Sequence, residues 1–173
     1  MTSGFPIRKL ESSDAEVFRH LRLEALTVAP EAFGASYEED ASLSLETIRA
    51  RLSASPNVVF GAFADHGLIG MAGFAVYDRV KARHKGLLWG VYVKAEWRGH
   101  QVGKRLVQRV IDHASHHVMM LEAAVGLTND GARRTYHGLG FKPYGIKRKA
   151  LRVGDMFYDE ELLYLDLPRP GDA

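Results

Sequence analysis

Residues 87–93, LLWGVYV, form an apolar run, and a basic turn punctuated by glycine follows it, EWRGHQVGK at 96–104. Beyond the turn lies the longest helical pattern in the chain. Over Arg98 to His116 the residues Val102, Leu106, Val107, Val110, Ile111 and Ala114 recur on one side. A second apolar run, Val118 to Val125, comes next. Strand, helix and strand in that order predict two parallel strands joined by a right-handed crossover. Few folds accommodate such a unit in so short a chain, so it restricts the architecture more than any other feature.

The flanking sequence predicts antiparallel neighbours. Phe5 to Leu10 reads as a short edge strand. Ser13 and Glu16 have the spacing of a capping box, and Val17, Phe18, Leu21, Ala25 and Val28 follow at helical spacing up to Pro30. Residues 30–43 read as a loop or broken helix, and Ser44 caps a helix carrying Leu45, Ile48 and Leu52. The runs 58–64 and 68–77 flank Asp65-His66-Gly67 as a hairpin. Asp78 to Lys85 is a polar connection, and Asn129 to Gly138 reads as helical. Phe141 to Leu151 and Met156 to Leu167 frame a second hairpin turn at 153–155. The expected fold class is α/β: one domain over residues 1–173, with a mixed, mostly antiparallel sheet around a central parallel β-α-β unit, and a frayed tail from about residue 168.

The 173 residues suit one domain with one core. A net charge of +2 does not call for nucleic acid. There is no cysteine, which excludes disulfides and a thiol nucleophile. No apolar run reaches the ~20 residues of a membrane span, and the N-terminus lacks the apolar core of a signal peptide. The expectation is a cytoplasmic enzyme or binding module without nucleic-acid or membrane partners. His113, His116 and His117 share a helical spacing but are expected on the polar face, so no metal site is expected.

The turn at 96–104 has chemistry of its own. The first N–H groups of a helix lack backbone partners, the helix dipole adds positive potential, and glycine lets the backbone curl around an anion. Arg98 and Lys104 add charge. The site suits a phosphate or pyrophosphate. It is neither a P-loop, since Arg105 follows Gly103-Lys104, nor G-x-G-x-x-G. From this stretch alone, an ordinary strand-to-helix turn with a solvated basic face remains equally open.

Two motifs in register add to this. LLWGVYVKAEWRGHQVGKRL resembles the cofactor signature of the GCN5-related N-acetyltransferase (GNAT) superfamily, an apolar strand leading into [Q/R]-x-x-G-x-[G/A] and a helix. NDGARRTYHGLGF at 129–141 resembles the second signature of that family, with Asn129, Ala132, Tyr136, Gly140 and Phe141 in place. Arg98 and Gly103 match the first signature, but Gln101 stands where its middle glycine would be.

The resemblance implies acetyl-CoA as co-substrate and strands splayed to admit it, with a bulge near Gly90. Backbone groups of Arg98, Gly99, His100, Gln101, Val102, Gly103 and Lys104 would hold its pyrophosphate, and main-chain groups of Val91, Tyr92 and Val93 its pantetheine arm. Asn129 would contact that arm or cap its helix, and Arg133 would approach the phosphates. Tyr136 would act as general acid toward the departing sulfur, since a phenol has pKa ≈ 10. The family implies an amine acceptor, small or peptide, with Phe33, Tyr37 and Glu38 walling its site. An acidic loop there would suit a cationic acceptor.

For the base that deprotonates the amine, Glu160 is the candidate carried forward, with Glu38, Glu39, Asp40, Glu122 and Tyr92 left open. Burial of Glu122 would raise its pKa, although strand alternation could equally turn it to solvent. The reaction expected is direct transfer in a ternary complex; the alternative is a non-catalytic acetyl-CoA sensor of the same fold. Many relatives are dimers, so a homodimer is a further expectation. If the backbone alone meets the phosphates, Gln101 needs only a negative φ with its side chain outward, and Gly99 absorbs any strain.

Overall fold

The computed structural model describes residues 4–65 and 67–168. His66, in the first hairpin turn, and the tail from residue 169 lie outside the described residues. Seven strands form one sheet in the order β1-β2-β3-β4-β5-β7-β6. They are β1 (Ile7–Lys9), β2 (Val58–Ala64), β3 (Gly67–Val76), β4 (Lys85–Val93), β5 (Met120–Gly126), β6 (Lys142–Val153) and β7 (Met156–Asp166). Only β4 and β5 are parallel; every other neighbour is antiparallel. The mixed sheet and its central crossover are as the sequence predicts.

Helices cover both faces. On the first face α4 (Val102–Ala114) and α5 (Asp130–Gly138) close a core of Phe60, Phe74, Leu88, Leu106, Val107, Val110, Leu121, Leu163 and neighbours. Val102, Leu106, Val107, Val110 and Ala114 are buried, which is the predicted stripe apart from half-buried Ile111. Each large apolar side chain so buried contributes about 1.5–3 kcal/mol. On the second face α1 (Ala15–Val28) and α3 (Leu45–Ser53) pack over Val59, Leu68, Met71 and Tyr92.

Three local expectations fail. Helix α1 is preceded by a 3-10 turn at Ser12–Asp14, so Ser13 and Glu16 do not form the cap. Instead the Asp14 carboxylate accepts from the Glu11 N–H (2.8 Å) and pairs with Arg8 (2.7 Å). Val17 and Val28 are exposed, because Ala15, Phe18, Leu21 and Ala25 set the buried face and each residue turns it by about 100°. Helix α4 begins at Val102 rather than Arg98, since Gly99 and Gln101 both have positive φ, which no right-handed helix admits. The segment after Pro30 is a broken helix: a 3-10 turn at Pro30–Ala32, then α2 (Tyr37–Ala41). Ser36 caps α2 reciprocally with Glu39, whose carboxylate accepts the Ser36 N–H at 2.7 Å.

Candidate active site

The turn between β4 and α4 is a row of unused donors. Among the described residues no backbone N–H from Gly99 to Lys104 donates within the protein; the first to do so is Arg105, to the Gln101 carbonyl at 3.0 Å. Gly99 has φ 81° and Gln101 has φ 60°, ψ 16°. Left-handed residues alternating with His100 curl the chain into a concavity that gathers N–H groups, which is how a backbone binds anions. Arg98 ties the turn to the end of β4, its Nε donating to the Val93 carbonyl (3.2 Å).

The backbone at Gln101 therefore corrects the sequence reading. Its side chain is exposed, as expected, but φ is positive. The residue sits at the N-cap, where the left-handed conformation turns the first helical N–H groups inward. Glycine at this position of the motif thus supplies conformation, not merely space. A non-glycine residue in that region costs roughly 1–2 kcal/mol. Gln101→Gly is expected to raise unfolding free energy by about 1 kcal/mol, the remainder offset by chain entropy. Chemical denaturation reads this, and an unchanged or lower value would show that the strain is relieved elsewhere.

Beside the turn the sheet opens. β4 and β5 pair only over Lys85–Leu87 and Met120–Glu122, while β5 pairs with β7 along its whole length. The β3–β4 register slips between Met71/Tyr92 and Gly73/Trp89, so Ala72 faces two residues, Gly90 and Val91. Gly90 has φ 64°. The bulge expected near Gly90 is present, and Val91–Val93 lie along the opened edge.

Tyr136 projects from α5 into the first-face core, 6% exposed, with its ring 5.8 Å from that of Phe141. Burial pushes its phenol well above the ordinary value, so it keeps its proton. Asn129 caps α5, its Oδ1 accepting from the Ala132 N–H (3.2 Å). Arg133 is held by Glu161 at 3.4 Å and by Asp130 at 3.6 Å. Burial would raise the pKa of Glu161, but hydrogen bonds from His137 and Arg133 outweigh it and hold it below 4.5. A depressed folded value gives stability that is present above the unfolded pKa and lost as pH falls through the folded one. Glu161→Gln is thus expected to flatten the acid limb of stability below about pH 4.5, read by Tm against pH.

On the second face Phe33 is buried, its ring 6.4 Å from that of Tyr92, while Tyr37 and Glu38 are exposed. Two acids of that loop are committed: Glu39 caps α2 and Asp40 pairs with Arg22 at 2.7 Å. Glu122 is half-buried and bonded to the Lys85 ammonium (2.9 Å) and the Tyr77 hydroxyl (2.7 Å). Burial is outweighed by those bonds and its pKa is lowered, which corrects the expectation of a raised one. Glu160 is half-buried on β7, opposite Gly126 at the end of β5.

Two α1 residues near this face, Arg22 and Glu24, belong to no motif in the sequence. Glu24 accepts from the Tyr92 hydroxyl (3.1 Å) and lies 3.6 Å from Lys94. Burial first, and the Glu24 charge next, raise the Tyr92 pKa. The only available signal was position: Arg22 stands one turn after Phe18 on the buried side.

One histidine differs from expectation. His113 is half-buried against Phe60 and Phe74 and bonds the Pro56 carbonyl at 2.8 Å, whereas His116 and His117 are exposed.

These features define a class: a mixed α/β sheet that opens between β4 and β5, with a turn of unused backbone N–H groups at the end of β4 and a buried tyrosine on the first face. The model of the acetyltransferase (GNAT) family matches residues 16–141, and the chain belongs to that family. It is similar to N-alpha-acetyltransferase RimI of Mycobacterium tuberculosis, 32% identical over 101 residues, 58% of this chain and 62% of that protein. The match therefore spans less than two thirds of the length of that relative. Similar folds include a GNAT-family acetyltransferase from Streptococcus pneumoniae, with TM-score 0.84 at 19% identity over 95% of this chain and 100% of the other. Another is yncA from Salmonella typhimurium, solved with its cofactor acetyl-CoA, with TM-score 0.83 at 21% identity over 96% of each chain.

Proposed function

We propose that the protein is a cytoplasmic acetyl-CoA-dependent N-acetyltransferase that acetylates a primary amine by direct attack in a ternary complex. The observation that carries this reading is the run of free N–H groups from Gly99 to Lys104 at the mouth of the β4–β5 opening. Such donors fit a pyrophosphate, and the opened edge at Val91–Val93 fits an extended amide-bearing arm. Family membership and the acetyl-CoA complex of yncA point the same way.

Acetyl-CoA supplies an acyl group already activated as a thioester. The residues of this chain do the rest. The cradle holds the phosphates, aided by Lys104, and β4 orients the arm. Tyr136, protonated through burial, donates to the departing sulfur. The amine proton passes to a carboxylate on the second face. Glu160 is one candidate; Glu24, through Tyr92, is the other, and it lies beside the bulge strand. The pH–rate profiles of Glu24→Gln and Glu160→Gln separate them, because loss of the base removes the acid-side break. A homodimer would cover the exposed Tyr144 and Ile146 of the β6 edge, and sedimentation at graded concentrations reads that.

The test is acetyl-CoA with an amine panel, followed by thiol release and product mass. Saturating acetyl-CoA at about 100 Kd should add about 2.7 kcal/mol of stability, a Tm rise of several degrees. Stabilisation without turnover would favour a non-catalytic sensor. No stabilisation by acetyl-CoA or CoA would sink both.

A further inference from the structure

A cavity of about 300 Å³ lies on the second face, between α1, α2, α3 and the strands β2 to β4. Its walls are apolar: Phe18, Leu43, Ile48, Leu52 and Trp89. Its charges are not balanced. Arg19, Arg22 and Arg51 line it, against Asp40 as the one lining acid. Arg19 donates its Nη2 to the Ala41 carbonyl (2.8 Å). Arg22 gives its Nε to Asp40 (2.7 Å) and lies between the rings of Phe33 and Trp89. Its Nη1 is buried and has no hydrogen-bond partner among the described residues.

That nitrogen has a definite address. It lies against the bulge of β4, 3.4 Å from where a Cβ on Gly90 would lie, an ordinary van der Waals distance. A buried charged donor left unpaired is more costly than a neutral one. A guanidinium is built to hold a carboxylate.

We infer, on the acetyltransferase reading above, that the acceptor is an α-amino carboxylate with an apolar side chain. Its carboxylate takes the free Arg22 N–H groups beside Gly90, its side chain fills the cavity, and its amine faces the opened edge of β4. An α-amine is one carbon from the carboxylate, so anchoring one places the other. In the transfer the amine nitrogen bonds the acetyl carbon and the carbon–sulfur bond breaks. The proton shed by the amine balances the one gained by the sulfur. The basic lining also replaces the cationic acceptor suggested by the loop acids, since Asp40 is consumed by Arg22.

Matched pairs test this: L-methionine against 3-(methylthio)propylamine, and L-phenylalanine against phenethylamine, each with acetyl-CoA. A site built around a buried donor discriminates strongly. The carboxylate-bearing member of a pair should be preferred at least about 30-fold in kcat/KM. In Arg22→Gln/Asp40→Asn, which removes both charges together, the preference should fall to about threefold or less. If that variant loses the Tm rise with acetyl-CoA, Arg22→Lys is read instead, since it keeps the charge and loses the fork. Equal or better use of the decarboxylated amines, turnover of peptide amines only, or an unchanged preference in the variant overturns the inference while acetyltransfer stands. Absence of any acetyl-CoA stabilisation in the wild type overturns the acetyltransferase reading and this inference with it.

Discussion

Tyr136→Phe lowers kcat about 100-fold and leaves acetyl-CoA-induced stabilisation close to that of the wild type. The expectation rests on what the hydroxyl does and does not do in the folded chain. The ring is buried and packed against Phe141, and phenylalanine keeps that packing. Phenylalanine fills the same buried space, so Tm should hold. What disappears is a proton donor whose pKa burial has raised above 10.0. That donor stays neutral and keeps its proton throughout the working range, so Tyr136 itself imposes no alkaline break below pH 10.0. The measurement is kcat with saturating amine, paired with thermal shift. Equal kcat in mutant and wild type would remove Tyr136 from the mechanism; a collapse in Tm would give it a structural role instead.

The parts of the protein that could be read from sequence are those in which neighbours in sequence are neighbours in space. The stripe from Val102 to Ala114, the two hairpins and the β4–α4–β5 crossover follow from periodicity and turn chemistry. Ser44 was identifiable as a cap because its partner, the Thr47 N–H, is three residues away. The unread parts are contacts between distant segments. Arg22 meets Asp40 across 18 residues, and Tyr92 meets Glu24 across 68. A polar residue on a helix carries no mark of its partner, so the basic cavity stayed hidden behind an acidic-looking loop. Glu122 changes character for the same reason: Lys85, 37 residues away, decides its charge. Gln101 is a different failure. Its departure from the motif was visible, but its side chain does not announce φ, and the surrounding turn imposed the left-handed conformation that glycine would adopt freely.

Gly103→Glu separates the two consequences of placing N–H groups at the start of α4, and it should move them in opposite directions. Gly103 is the second residue of the helix, and a Cβ there meets nothing closer than Val93 Cγ2 at 3.6 Å. Replacing glycine in a helix gains roughly 0.5–1 kcal/mol, and a carboxylate in the first turn adds about 0.3–1 kcal/mol against the dipole. The unliganded protein should therefore melt about 2–6 °C higher. The same carboxylate stands at the cradle where the pyrophosphate is proposed to bind. Two like charges 4 Å apart near a protein surface repel by about 4 kcal/mol before salt screening. Acetyl-CoA affinity should fall about 100-fold or more, and Gly103→Gln, without the charge, should retain most of it. Calorimetric titration with CoA and dephospho-CoA gives the affinities, and thermal melts without ligand give the stability. If affinity is unchanged while Tm rises, the N–H groups serve the helix alone and the pyrophosphate binds elsewhere. If both fall, the substitution has disrupted the left-handed turn at Gln101 and the cradle has lost its shape.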